Sequence, residues 1–141
     1  MTPYTAIFNR FKRLITDYDL DDLAPENRKD ILIGYLVDAC DSWYPLPDGV
    51  DLSRDNTVES FLYTLDNNVQ ATLAYGMARA WLSPYLYNQD LMETNLSTKE
   101  YTAYSDANRI TTMRMLYKES EKQMSALATK ISIKKIAGRL K

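Results

Sequence analysis

Seven residues in the C-terminal quarter of the chain, Ile110, Met113, Tyr117, Ser120, Met124, Leu127 and Ile131, are spaced alternately three and four apart. A 3.5-residue repeat sustained over three heptads calls for a long helix with one continuous contact face. That face must be covered, either by the chain's own bundle or by another copy in a coiled coil. Ser120 and Tyr117 weaken a zipper seam, which favours packing within the bundle. With 141 residues the chain fits one compact domain around one core, so the preceding sequence has to supply the covering helices.

It offers three. Thr2 and Pro3 read as an N-cap and a first-turn proline, after which Tyr4, Ile7, Phe8, Phe11, Leu14 and Ile15 recur at helical spacing. An acidic stretch over 16–24 reads as a loop pinned by Tyr18, Leu20 and Leu23. Pro25 then opens a second helix carrying Ile31, Leu32, Tyr35, Leu36, Ala39, Cys40 and Trp43, despite a cost of about 1 kcal/mol for Gly34. Two prolines and a glycine make residues 44–56 a long irregular connection, with a short extended piece at Phe61-Leu-Tyr. A third helix is expected after Thr64 on Val69, Leu73, Met77, Ala80 and Trp81, with Pro84 ending it or opening a further short turn. Gly76 within it permits a close neighbour. A loop over 93–104 follows, and Ser105 or Asp106 can cap the long final helix. The expected fold is an all-α bundle of four to five helices with long irregular loops, comprising one domain over 1–131 and a basic tail over 132–141, where Gly138 loosens the helix end.

Charge is distributed unevenly. The last 33 residues hold nine Lys/Arg against two Asp/Glu, a local +7, while the whole chain is −2, so residues 1–108 carry −9. Such a dipolar chain can set one copy's basic end against another copy's acidic face or against an acidic partner. Eleven tyrosines beside four glycines also point to contact surface. With the chain acidic overall, the broad basic field of a dedicated nucleic-acid binder is missing. The single Cys40 lies in an apolar helical pattern and reads as a buried small hydrophobe in a reducing compartment. No apolar run approaches the roughly 20 residues that span a bilayer, and residues 1–13 lack a signal peptide's apolar core, so synthesis in the cytosol without membrane association is expected.

The chain contains no histidine, which removes the commonest general base and the usual zinc ligand. Catalysis would rest on carboxylates. Asp17, Asp19, Asp21 and Asp22 alternate like the opening of a calcium loop, but Asp22 stands where that loop needs glycine and Arg28 where it needs a bidentate glutamate. The plainer reading is a solvated acidic loop in which one Asp caps a turn. Asp48, Asp51 and Asp55 form a second acidic cluster without a third carboxylate-rich segment or a phosphate-binding glycine loop. No metal, cofactor or catalytic set is therefore expected. Tyr75, Gly76 and Trp81 could line a ligand pocket, although helical aromatics are more often core. In the tail, Ile131, Ile133, Ile136 and Leu140 interleave with Lys134, Lys135 and Arg139, a pattern suited to a partner's groove as well as to a frayed, solvated terminus.

The order of short phrases carries a further reading. Thr16-Asp-Tyr-Asp-Leu precedes Ile31-Leu with Tyr35, Leu36 and Ala39, then Asp51-Leu-Ser-Arg-Asp, a stretch over 61–66, and Ala74-Tyr-Gly-Met with Trp81 and Leu82. Leu91, Asn95-Leu-Ser-Thr-Lys-Glu-Tyr and Tyr104-Ser-Asp-Ala-Asn close the series. In this order the chain resembles the small helical head-to-tail connector (adaptor, or neck) proteins of tailed bacteriophages. The basic tail departs from that pattern. The resemblance implies a non-enzymatic virion protein, assembled in the host cytoplasm and located in the neck, forming a ring of copies beneath the portal. Its partners would be itself, the portal and a tail-side or stopper protein, with DNA passing through the lumen without specific binding. Asp17, Asp19, Asp21, Asp22, Asp48, Asp51 and Asp55 are then candidates for lumen or ring contacts, since acidic walls repel phosphate. Ile131, Ile133, Lys134, Lys135, Ile136, Arg139 and Leu140 are candidates for partner binding. The competing classes are a helical adaptor outside any virion and a metal-dependent carboxylate enzyme.

Overall fold

The computed structural model describes residues 1–20, 28–44, 46–47, 49–95 and 107–140, with side chains described for all of these except 88–95, 107–109 and 134–140. It is mostly helical (72%), with four helices and a small three-stranded sheet among the described residues, close to the all-α bundle expected. In chain order the elements are β1 (Thr2–Pro3), α1 (Tyr4–Asp17), α2 (Lys29–Ser42), β2 (Arg54–Asp55), β3 (Ser60–Phe61), α3 (Asn67–Asn95) and α4 (Ala107–Leu140).

Helix α3 is the axis of the bundle, with α1, α2 and α4 all packed against it. Its sequence allows this. Val69, Thr72, Leu73, Ala74, Met77, Ala78, Trp81 and Leu82 are all buried, which covers more of the helix circumference than an amphipathic stripe would. The small residues among them let three neighbours approach. At Gly76 the approach is closest: a Cβ placed there would lie 2.7 Å from the Ala39 Cβ of α2 and 3.6 Å from the Met124 Cε of α4. The close neighbour expected from the glycine is therefore α2.

The sequence reading is corrected at three places. Thr2 does not cap α1 but sits in β1, whose antiparallel partner is β3, with β2 on the other side of β3. Its buried Oγ1 donates to the Tyr63 carbonyl and accepts from the Leu65 N–H at 2.8 Å, so the hydroxyl fastens the entry to α3. The first N–H of α1 goes to the Glu59 carbonyl at 3.0 Å. These pairings join residues about 60 apart through strands of two residues, too short to show alternation. Secondly, Pro84 neither ends α3 nor opens a separate turn, since the helix runs on to Asn95. The ring removes one helical hydrogen bond, but Pro84 is exposed and water can take the freed carbonyl, while the Trp81 and Tyr85 rings meet edge to face across it at 6.1 Å. Thirdly, α4 is continuous through Gly138 to Leu140, so residues 132–140 extend the helix rather than fray from it.

The heptad reading holds in the form favoured above. Ile110, Met113, Ser120 and Ile131 are buried and Tyr117, Met124 and Leu127 half-buried, with Leu116, outside the repeat, also fully enclosed. The helices α3 and α4 run antiparallel, because contacts that move up α3 from Gly76 to Arg79 move down α4 from Met124 to Glu121 and Tyr117. In this register Ile133 lies opposite the first residue of α3. The remaining turns of α4, residues 134–140, project past it by about 10 Å at 1.5 Å per residue. The expected start of α2 at Pro25 and the caps at Ser105 or Asp106 lie outside the described residues.

Candidate assembly surfaces

Of the acidic candidates that the structure describes, Asp19, Asp51 and Asp55 have local structural roles. Helix α1 ends in a Schellman motif: the Leu20 N–H bonds the Ile15 carbonyl at 2.7 Å and the Asp19 N–H bonds that of Thr16 at 3.0 Å. Asp19 occupies the left-handed position with φ 57°, and the buried Leu20 returns to the core beside Ile15. Thus Asp17 and Asp19, the described part of the stretch that resembled a calcium loop in sequence, belong to a helix stop. Asp17 stands on the last turn of α1 and borders a shallow cleft of about 130 Å³ with Arg10, Arg13, Leu14, Ala71, Ala74 and Tyr75. Asp21 and Asp22 lie outside the described residues.

In the second cluster, Asp51 accepts hydrogen bonds from the Ser53 amide at 2.9 Å and from its hydroxyl at 2.5 Å, and both pull its carboxyl below the usual range. Asp55 accepts from the Thr57 amide at 2.8 Å and turns the β2–β3 hairpin. Each satisfies a backbone N–H two residues on, as an Asx turn does. Asp48 lies outside the described residues. Among the described residues no three acidic or cysteine side chains converge on a metal position.

Cys40 is buried, and burial pushes its thiol up to about 11, the nearby Arg54 lowering it and Asp41 raising it less strongly. A thiol so far from its thiolate is a core residue rather than a nucleophile. The pocket considered in the sequence does not form. Trp81 is buried edge to face with Phe11 at 5.8 Å, Tyr75 borders the α1–α3 cleft, and Gly76 faces a different groove of about 160 Å³. That groove is bordered by Asp38, Ser42, Gly76, Arg79, Ala80, Ser83 and Tyr117. Both spaces fall below the roughly 300 Å³ at which small-molecule sites begin. Arg79 is held by Glu121 at 3.3 Å and lies 5.3 Å from the centroid of the Tyr117 ring, pinning α3 to α4.

The partner-binding candidates separate. Ile131 is part of the core at 9% exposure, contrary to its expected contact role, because the heptad face still has α3 beneath it at that level. Ile133 is 60% exposed. Lys134, Lys135, Ile136, Arg139 and Leu140 belong to the projecting turns of α4, their side chains outside the described set. Residues 130–141 hold five basic residues and no acidic one. A surface that the sequence reading missed is the outer side of α2, where Asp30, Gly34, Asp38 and Asp41 are all exposed. Their spacing of four, four and three is the sign that could have revealed it. Among the described residues no helix is long and apolar enough to cross a membrane.

Comparison with protein-family models, with curated proteins and with solved structures gives no match in any of the three.

Proposed function

We propose that the chain is a non-enzymatic structural subunit that assembles into a ring, in the manner of a phage head-to-tail connector placed between portal and tail. The observation that carries this reading is the projecting end of α4: a basic helical segment that passes beyond α3 while the acidic residues lie on the body. Separating the two signs onto different surfaces gives each copy two unlike faces, the requirement for a heterologous contact that can close into a ring. The ordered phrases over 16–108 supply the connector class, and the helical bundle agrees with it. In this role the chain partners itself, the portal and a tail-side protein, and DNA passes along the acidic loops without specific binding.

The test is direct. Light scattering on the purified chain at rising concentration, at low salt, should give a mass several times that of one 16.3 kDa copy, and negative-stain images should show rings. Immobilised portal protein should retain the chain. Failure of both assembly and portal retention would remove the connector reading and leave an adaptor outside any virion as the better alternative.

A further inference from the structure

The geometry points to the outward face of α2 as the acceptor for the C-terminal end of α4 from a second copy of the chain. The inference deepens the assembly reading above and rests on it. Asp30, Gly34, Asp38 and Asp41 lie within about 80° of one another around α2 at 100° per residue, and all four are exposed. Ile31 and Val37 flank them, half-exposed. Gly34 opens the middle of this face: nothing lies within 4 Å of the position its Cβ would take. The face is thus a shallow valley lined by carboxylates and flanked by apolar side chains.

The C-terminal half of this face carries its negative charge most openly. Asp38 makes no ion pair among the described residues. Asp41 meets Arg54 at 3.7 Å, yet its side chain stays 71% exposed. No basic residue stands in the last turn of α2, so the helix dipole adds to the negative potential there. At the other end Arg28 pairs with Asp30, and Lys29 with Glu59, which leaves Asp30 a lesser part. Arg79, in the adjoining groove, is engaged by Glu121.

The occupant's chemistry matches. Residues 130–141 combine five cations with Ile133, Ile136 and Leu140 and contain no acid, so they suit a valley that is acidic along its middle and apolar at its sides. A copy cannot serve itself. The C-terminal half of the α2 face lies level with Ala39, Gly76 and Met124, and residue 134 is ten residues further along a continuous helix, about 15 Å away along the axis. Only a second copy can bring its α4 end back to this level, and repeating the step joins copies head to tail.

Two full-length variants test the contact by light scattering at low salt. Gly34→Trp fills the valley at a position with open space around it, so its melting temperature should be at or above that of the wild type. Lys134→Glu with Lys135→Glu and Arg139→Glu reverses the projecting end. Each variant alone should need about tenfold or more concentration to assemble. Mixed, they should form a dimer and nothing larger, because one retains the donor and the other the acceptor. Assembly of Gly34→Trp at wild-type concentration would overturn the contact while leaving the ring reading in place, as would a mixture that stays monomeric. A wild-type chain that remains monomeric throughout would remove both.

Discussion

Gly34 and Gly76 both sit in helices, where glycine costs about 1 kcal/mol relative to alanine, yet their surroundings reverse the consequence. At Gly34 a methyl group meets open space, so Gly34→Ala should stabilise the fold by about 0.5–1 kcal/mol. At Gly76 the same methyl would lie 2.7 Å from the Ala39 Cβ and 3.2 Å from its Cα, so two helix backbones must separate. Overpacking costs about 1–3 kcal/mol, which outweighs the propensity gain, and Gly76→Ala should lower the unfolding midpoint. Adding Ala39→Gly should restore part of the loss in denaturant titrations. Trp81 is the largest fully buried side chain, and Trp81→Ala should cost about 3–5 kcal/mol through lost burial and a cavity. An unchanged melting temperature would place Trp81 at an interface instead. Cys40 gives a pH prediction. Its thiol is raised in the folded state to about 11, so its contribution to stability is complete below the ordinary thiol range, falls as pH rises from there, and is lost above about 11. The partly buried hydroxyls of Tyr4, Tyr35 and Tyr75 are shifted upward chiefly by lost solvation and act in the same direction. Melting temperatures from pH 8 to 11 should fall, and Cys40→Ala should flatten the earlier part of that fall.

At the level of elements, the helices were legible because their apolar positions recur within a few residues of one another. Tyr4 through Ile15, Leu32 through Trp43 and the heptads of α4 all bury the faces that their spacing marks. The extended piece expected at Phe61-Leu-Tyr overlaps β3, but its partners were not legible, because β1 meets β3 across about 60 residues and each strand is two residues long. The stop of α1 was legible only as an acidic turn pinned by Leu20, not as this hydrogen-bonded motif, for a related reason. An aspartate in the left-handed position and one in a calcium loop have similar sequence neighbours, and only the carbonyls of Ile15 and Thr16 decide between them. Asp19→Gly relieves the Cβ cost of φ 57° and removes a negative charge from a helix C-terminus. It should therefore raise the unfolding free energy by about 0.5–1 kcal/mol in denaturant titration. A loss of stability would assign Asp19 a contact that the helix stop does not include.

For the whole molecule, the separation of charge sets what can be measured. Replacing Lys134, Lys135 and Arg139 by glutamine should spare the fold and weaken association most at low salt, since screening reduces an electrostatic share as ionic strength rises. A loss independent of salt would instead assign the contact to Ile133, Ile136 and Leu140. The sequence by itself determined the helical class, the inward face of α4, the close approach at Gly76 and the opposition of a basic end to an acidic body. All of these follow from residue type and short-range spacing, which act before the chain has folded. Tertiary structure decided that α3 is the axis, that Ile131 belongs to the core, that Thr2 closes a sheet and that α2 turns a carboxylate-lined valley outward. Those outcomes depend on which helix lies opposite which, and at what level, and that is settled only when distant segments compete to bury the same apolar surface.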